Sequence, residues 1–237
     1  MPAFESTFGR SCLAAAFALS SLTLSATARA DDAFHVGAAV TAGFSGLGAD
    51  VGVNINSYLG VRATIAGFSI DHNGNYSTSI DWTARARLFQ AGLLLDGYPF
   101  AGGFHLTAGL VKDGNKISLT AQPSGSGSFT FNGTSYPAAD VASASASVQW
   151  NKTVPYLGLG WGNLAGSSGL HFTSDFGLLL TGSPTATITA NCSAALIAAN
   201  GCSQLTYDAG QEQLKLQNDV HKITVWPVAR IGIGFAF

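Results

Sequence analysis

The chain has 237 residues, of which only 10% are charged, with a formal net charge of −2 and a mean hydropathy of +0.27. Ordinary soluble domains are about 25% charged; a disordered chain, charge-rich and poor in aromatics, is excluded, and a basic nucleic-acid binder with it. The composition is that of a membrane protein, yet only one stretch reads as an apolar helix.

That stretch comes first. Arg10 gives a positive start, Cys12 to Leu24 (CLAAAFALSSLTL) is an apolar run, and Ala28-Arg29-Ala30 places small residues at a cleavage site. The run is shorter than the roughly 18 residues of a spanning helix. It reads as a signal peptide over 1–30, leaving 31–237 as the mature chain. Cys12 precedes the apolar run instead of following it, which argues against a lipoprotein.

Beyond residue 31 the chain alternates with period two, the signature of strands with two different faces. Strands are predicted over 34–43, 48–55, 58–71, 79–97, 103–120, 147–161, 169–182 and 224–237. In LGVRATIAG, Leu59, Val61, Ala63 and Ile65 oppose Gly60, Arg62, Thr64 and Ala66. In HFTSDFGLL, Phe172, Phe176 and Leu178 oppose His171, Thr173, Asp175 and Gly177. The last segment, PVARIGIGFAF, sets Ile231, Ile233, Phe235 and Phe237 against Arg230 and glycines. A polar face of Arg, Asp, His, Thr and Gly reads as a narrow lumen, with the apolar face toward lipid. A bilayer cannot satisfy open strand edges, so the sheet must close. The expected fold is all-β, an eight-stranded antiparallel up-and-down transmembrane β-barrel.

The connections support that topology. Phe44–Leu47, His72–Thr78, Ala121–Ala146 and Ser183–Ile223 lie on one side, and the short Asn56–Ser57, Tyr98–Gly102 and Gly162–Ser168 on the periplasmic side. A bulge near Leu88-Phe89 is needed to keep Arg87 and Gln90 both inward. Trp82, Trp150 and Trp226 mark an outer aromatic girdle, and Tyr58, Tyr98, Phe100, Phe104, Trp161 and Phe237 an inner one. Asn132-Gly133 reads as a hairpin turn between SFTF and TSYP. Cys192 and Cys202 are the two cysteines beyond the signal segment, most simply one disulfide. A metal pair is the rival reading, but no histidine lies close in sequence. In AGQEQLKLQNDVHK, Leu214, Leu216 and Val220 form a weak helical stripe.

The signal ending ATARA, the alternating strands and the terminal IGIGFAF with Phe237 last resemble the small eight-stranded outer-membrane β-barrels of Gram-negative bacteria, including OmpA transmembrane domains and OmpW-like proteins. The resemblance covers essentially all of 31–237. It implies an outer-membrane location, contact with outer-membrane lipids and lipopolysaccharide, and Phe237 as the signal read by the barrel-assembly machinery. A monomer without cofactor or metal is expected.

Charge placement singles out candidate residues. The arginines of 31–237 (Arg62, Arg85, Arg87 and Arg230) alternate inward, as do Asp50, Asp81, Asp96 and Asp175. Charges facing lipid cost a few kcal/mol at the midplane. These eight, with His105, are expected to form a lumen ion-pair network. Asp96 would face His105 across the turn, Asp175 would lie near Arg230, and Arg62 would approach Arg87 with an acid or water between them. The expected role is structural or interaction-based with a plugged lumen; the alternative is an OmpW-like passive channel for small or hydrophobic molecules. No enzyme is expected. His171 and Asp175 alternate inward while Ser174 turns to lipid, so nucleophile and base do not meet. His35, His105 and His171 do not share the single height that a metal requires.

Overall fold

Period-two segments can satisfy every backbone group only by finding a neighbour on each edge. The computed structural model describes residues 35–76 and 80–237; the expected signal peptide lies outside them. In chain order the strands are β1 (Val36–Gly43), β2 (Gly46–Asn56), β3 (Leu59–Tyr76), β4 (Ile80–Gly97), β5 (Phe104–Asp113), β6 (Lys116–Pro123), β7 (Ser128–Phe131), β8 (Thr134–Pro137), β9 (Val141–Gln149), β10 (Lys152–Trp161), β11 (Gly169–Leu179), β12 (Thr185–Cys192) and β13 (Trp226–Ala236). Helices α1 (Ala194–Ala198) and α2 (Cys202–Val220) precede the last strand. Eight of the strands close into an antiparallel ring, β1-β2-β3-β4-β5-β10-β11-β13 and back to β1. Among the described residues no helix is long and apolar enough to cross a membrane.

Thirteen strands replace the expected eight because two of the predicted strands are interrupted and the outer connections are themselves structured. β5 and β6 pair with β4 in one register, Gln90 opposite Asp113 and Arg87 opposite Lys116. At the break between them, the side chain of Asn115 takes over the ladder: the Phe89 N–H donates to its Oδ1 at 3.0 Å. β9 and β10 break at the same level, where the Trp150 N–H donates to the Asn115 carbonyl at 2.8 Å. The bulge expected at Leu88-Phe89 is therefore absent from β4, which pairs with β3 without a register shift. The irregularity belongs to its neighbour.

Above this level the upper halves of β3 and β4 continue with β6, β9 and β12 as a sheet that leaves the ring. The β7–β8 hairpin turns at Asn132 (φ 52°) and Gly133 (φ 83°), the two left-handed residues of a type I′ turn. Phe129, Phe131, Tyr136, Val141, Leu205 and Ala209 make a second core between the hairpin, β9 and α2. Segments 121–146 and 183–223, expected as loops, are thus largely ordered. The Cys192–Cys202 disulfide ties the end of β12 to the first turn of α2. The helix faces this core with Leu205, Asp208 and Ala209; of the expected stripe, Leu216 and Val220 are half-buried and Leu214 is exposed.

Residue parity along β3 and β4 never slips, so the chemistry of each face inverts where the wall leaves the ring. Within the ring Leu93, Leu95, Ile65 and Leu110 point outward and Thr64, Arg62 and Asp96 inward. Above Leu88-Phe89, Asp71, Arg85, Arg87 and Lys116 occupy the outward face, and Phe68, Ile70, Leu88 and Ile117 the inward one.

The outer aromatics depart from expectation. Trp150 is buried and packs edge-on against Trp226, and Trp82 packs at a tilt against His72 on the inner face of the extension. At the opposite end Tyr58, Phe100, Trp161 and Phe237 are exposed, but Tyr98 folds into the ring and is buried.

Candidate functional site

The site is built on Arg62 in the middle of the ring. Its neighbours in the sheet bring Asp50 (β2) and Asp96 (β4) alongside, and Asp175 reaches it from β11 on the opposite wall. Nε donates to Asp96 at 2.9 Å, Nη1 to Asp50 at 3.1 Å and Asp175 at 2.8 Å, and Nη2 to Asp96 at 3.0 Å and Asp175 at 2.7 Å. A guanidinium has five N–H hydrogens, and all five are used. Arg62, Asp50, Asp96 and Asp175 are each at most 4% exposed.

Two further groups complete the cluster. Arg230 sits opposite Asp175 in the β11–β13 ladder. It donates to Thr64 Oγ1 and holds Asp175 at 3.8 Å and Asp50 at 3.7 Å. His105 places Nε2 3.2 Å from Asp175 Oδ1 and Nδ1 3.4 Å from the Gly103 carbonyl. Both ring nitrogens thus face acceptors, and a neutral imidazole can donate to only one of them. His105 reaches Asp175 across β10 because the intervening residue, Gly160, has no side chain. A Cβ there would fall 2.5 Å from Nε2 of His105 and against the Ser174 carbonyl.

Six of the nine expected network residues are therefore together: Asp50, Arg62, Asp96, His105, Asp175 and Arg230. The pairing inside the cluster differs from expectation. Asp96 lies opposite Thr107, which donates to it at 2.7 Å, and His105 serves Asp175 instead. Asp81, Arg85 and Arg87 lie on the outward face of the extension. Arg85 binds Asp71 at 2.6 and 2.7 Å in the open and holds its carboxyl below the usual carboxylate range. Asp81 accepts from Asn75. Arg87 is seven residues along the ladder from the level of Arg62, roughly 24 Å, and on the opposite face.

Sequence reading missed what closes the ring above and below this layer. Above it, Leu94, Val111, Val154, Tyr156, Leu179 and Val228 fill the interior. These positions carry inward parity, so the signal was present in the same alternation that located Arg62. Below it, the β10–β11 turn folds inward, burying Leu164 against glycines 37, 52 and 234, with Asn163 accepting from Asn54 at 2.9 Å. Two interior cavities, one beside Arg230 and one beside Asp96, are about 10 Å³ each, about one water sphere.

In the extension, Asp208 of α2 accepts from Tyr136, Asn132 and Gln204, which hold its carboxyl down. Burial, then the Asp208 bond, pushes the Tyr136 phenol up to about 12.

These features define an all-β protein with a closed, filled ring of eight antiparallel strands. Two solved structures share its fold. Acinetobacter baumannii CarO2 matches at 19% identity over 87% of this chain and 100% of that one, with a TM-score of 0.55. Acinetobacter baumannii CarO matches at 20% identity over 85% and 97%, with a TM-score of 0.53. No family model matches the chain, and no curated protein matches it in sequence.

Proposed function

We propose that the chain is a monomeric outer-membrane β-barrel of the Gram-negative type, exported by the 1–30 segment, with a structural or interaction role and a plugged lumen. The observation that carries the reading is the interior. An ion layer centred on Arg62 lies beneath an apolar layer of Leu94, Val111 and Leu179, and the inner mouth is occupied by Leu164. The apolar outward face of the ring suits lipid, and closure leaves no strand edge for a bilayer to satisfy. No catalytic role, cofactor or metal is assigned, and Phe237 is offered as the segment the assembly machinery reads.

Planar-bilayer recording tests the plug. The wild-type chain is expected to insert without discrete openings; steady single-channel steps would overturn it. The second reading, an OmpW-like passive channel for small or hydrophobic molecules, is favoured by one observation. Phe68, Ile70, Ile117 and Leu119 leave an exposed apolar surface on the inward face of the extension, above the ring. That reading needs openings or solute flux in the same recording.

A further inference from the structure

On the outward wall, β4 and β5 enclose an almost wholly apolar open groove of about 470 Å³, lined by Ala91, Leu93, Leu95 and Leu110, with Lys112 at its upper rim. Its outward-facing wall is shallowest at Ala91, whose small side chain lies between Phe89 and Leu93, while Gly92 and Gly109 contribute backbone only. Directly above, on the same outward face, Arg87 stands opposite Lys116. Lys112 and Lys116 are four residues apart along extended backbone, roughly 13 Å. Arg87, Lys112 and Lys116 are exposed and form no ion pair with a described residue. Asp71, diagonal to Arg87 on the same face, is bound by Arg85.

We infer that this face binds one molecule of a phosphorylated, multiply acylated glycolipid of the lipid A type, an acyl chain in the groove and phosphates on Arg87, Lys112 and Lys116. This rests on the outer-membrane reading above. Three features select this occupant. The groove offers no polar partner below Lys112, so what fills it is a hydrocarbon chain. The cations begin where the outward face changes from apolar to polar, which is headgroup level in that reading. Their spacing exceeds the reach of one phosphate, so they suit a disaccharide headgroup with a phosphate at each end better than a glycerophospholipid with one. Arg adds a planar fork and Lys a mobile point charge, both suited to phosphate.

The test uses the full chain refolded in detergent micelles, with native mass spectrometry of bound lipid. The wild type is expected to hold bisphosphorylated lipid A at least tenfold more tightly than its dephosphorylated form or phosphatidylglycerol. Arg87→Ala/Lys112→Ala/Lys116→Ala is expected to erase that preference with an unchanged unfolding temperature, since all three side chains are exposed. Ala91→Trp, which fills the groove, is expected to weaken both forms of lipid A alike. Retention of the preference by the triple variant, equal binding of phosphatidylglycerol, or indifference to Ala91→Trp overturns the site. A chain that folds and stays monodisperse without detergent overturns the outer-membrane reading itself, and the site with it.

Discussion

Arg62 donates every hydrogen of its guanidinium to carboxylates drawn from three strands, so no substitute of like charge can replace it. Lysine has the charge but presents its donors from one point. Asp175 is the most consequential partner, because it is bidentate to Arg62 and also faces His105 and Arg230. Asp175→Asn leaves Arg62 and Arg230 short of counter-charge in a dry interior, a loss of roughly 3–5 kcal/mol. It is expected to show as a lower urea midpoint in detergent with the ring's circular dichroism intact; an unchanged midpoint would sink the idea that this layer holds the ring. The inward parity of all six residues was legible in the sequence, since alternation alone assigns faces. Their heights were not. The β4–β5 hairpin pairs Gly97 with Leu106 because Tyr98 turns into the ring. The register is thus two residues from the expected one, which keeps Asp96 on the right face and gives it Thr107 instead of His105.

At the scale of elements, local chemistry was readable where a few residues decide the backbone. Asn132-Gly133 fixed its hairpin, and Cys192 with Cys202 formed the expected bridge. The extension was not readable, because its strands reverse the inside-outside rule used for the ring. The reversal did leave a trace: Arg85 and Arg87 share odd parity with Leu93 and Leu95, and only an added bulge could turn them inward. The disulfide joins β12 to α2 across a sequence separation of 10, a short loop whose closure is worth roughly 2–3 kcal/mol. Replacing both cysteines by serine is expected to lower hydrogen-exchange protection in β12 and α2 while leaving β1 and β13 unchanged. Equal loss in the ring would mean that the extension and the ring unfold as one unit.

For the whole molecule, closure is layered. The inner mouth, the ion layer and the apolar layer each block the axis, so removing one should not open it. Arg62→Ala/Asp175→Ala is expected to stay silent in planar bilayers. Adding Leu94→Ala, Leu179→Ala and Leu164→Gly should give openings, provided the refolded variant keeps the β-sheet circular dichroism of the wild type. Conductance from the first pair alone would show that the apolar layer is permeable. Such layering needs the full ring register, in which inward residues from β4, β5, β10, β11 and β13 meet at one level, and period-two counting could not supply it.

β3 and β11 stand four places apart in a ring of eight, which makes the Arg62–Asp175 contact a diameter. Asp50 and Asp96 fasten the same hub to the strands on either side of β3. The cluster is therefore a spoke set as well as a stopper. A small hollow cylinder squeezed from the side becomes oval by lengthening one axis and shortening another, and a bidentate strut of fixed length resists both. In the membrane setting proposed above, lateral pressure from lipid would meet a cross-section that cannot flatten without pulling a buried cation from its anions.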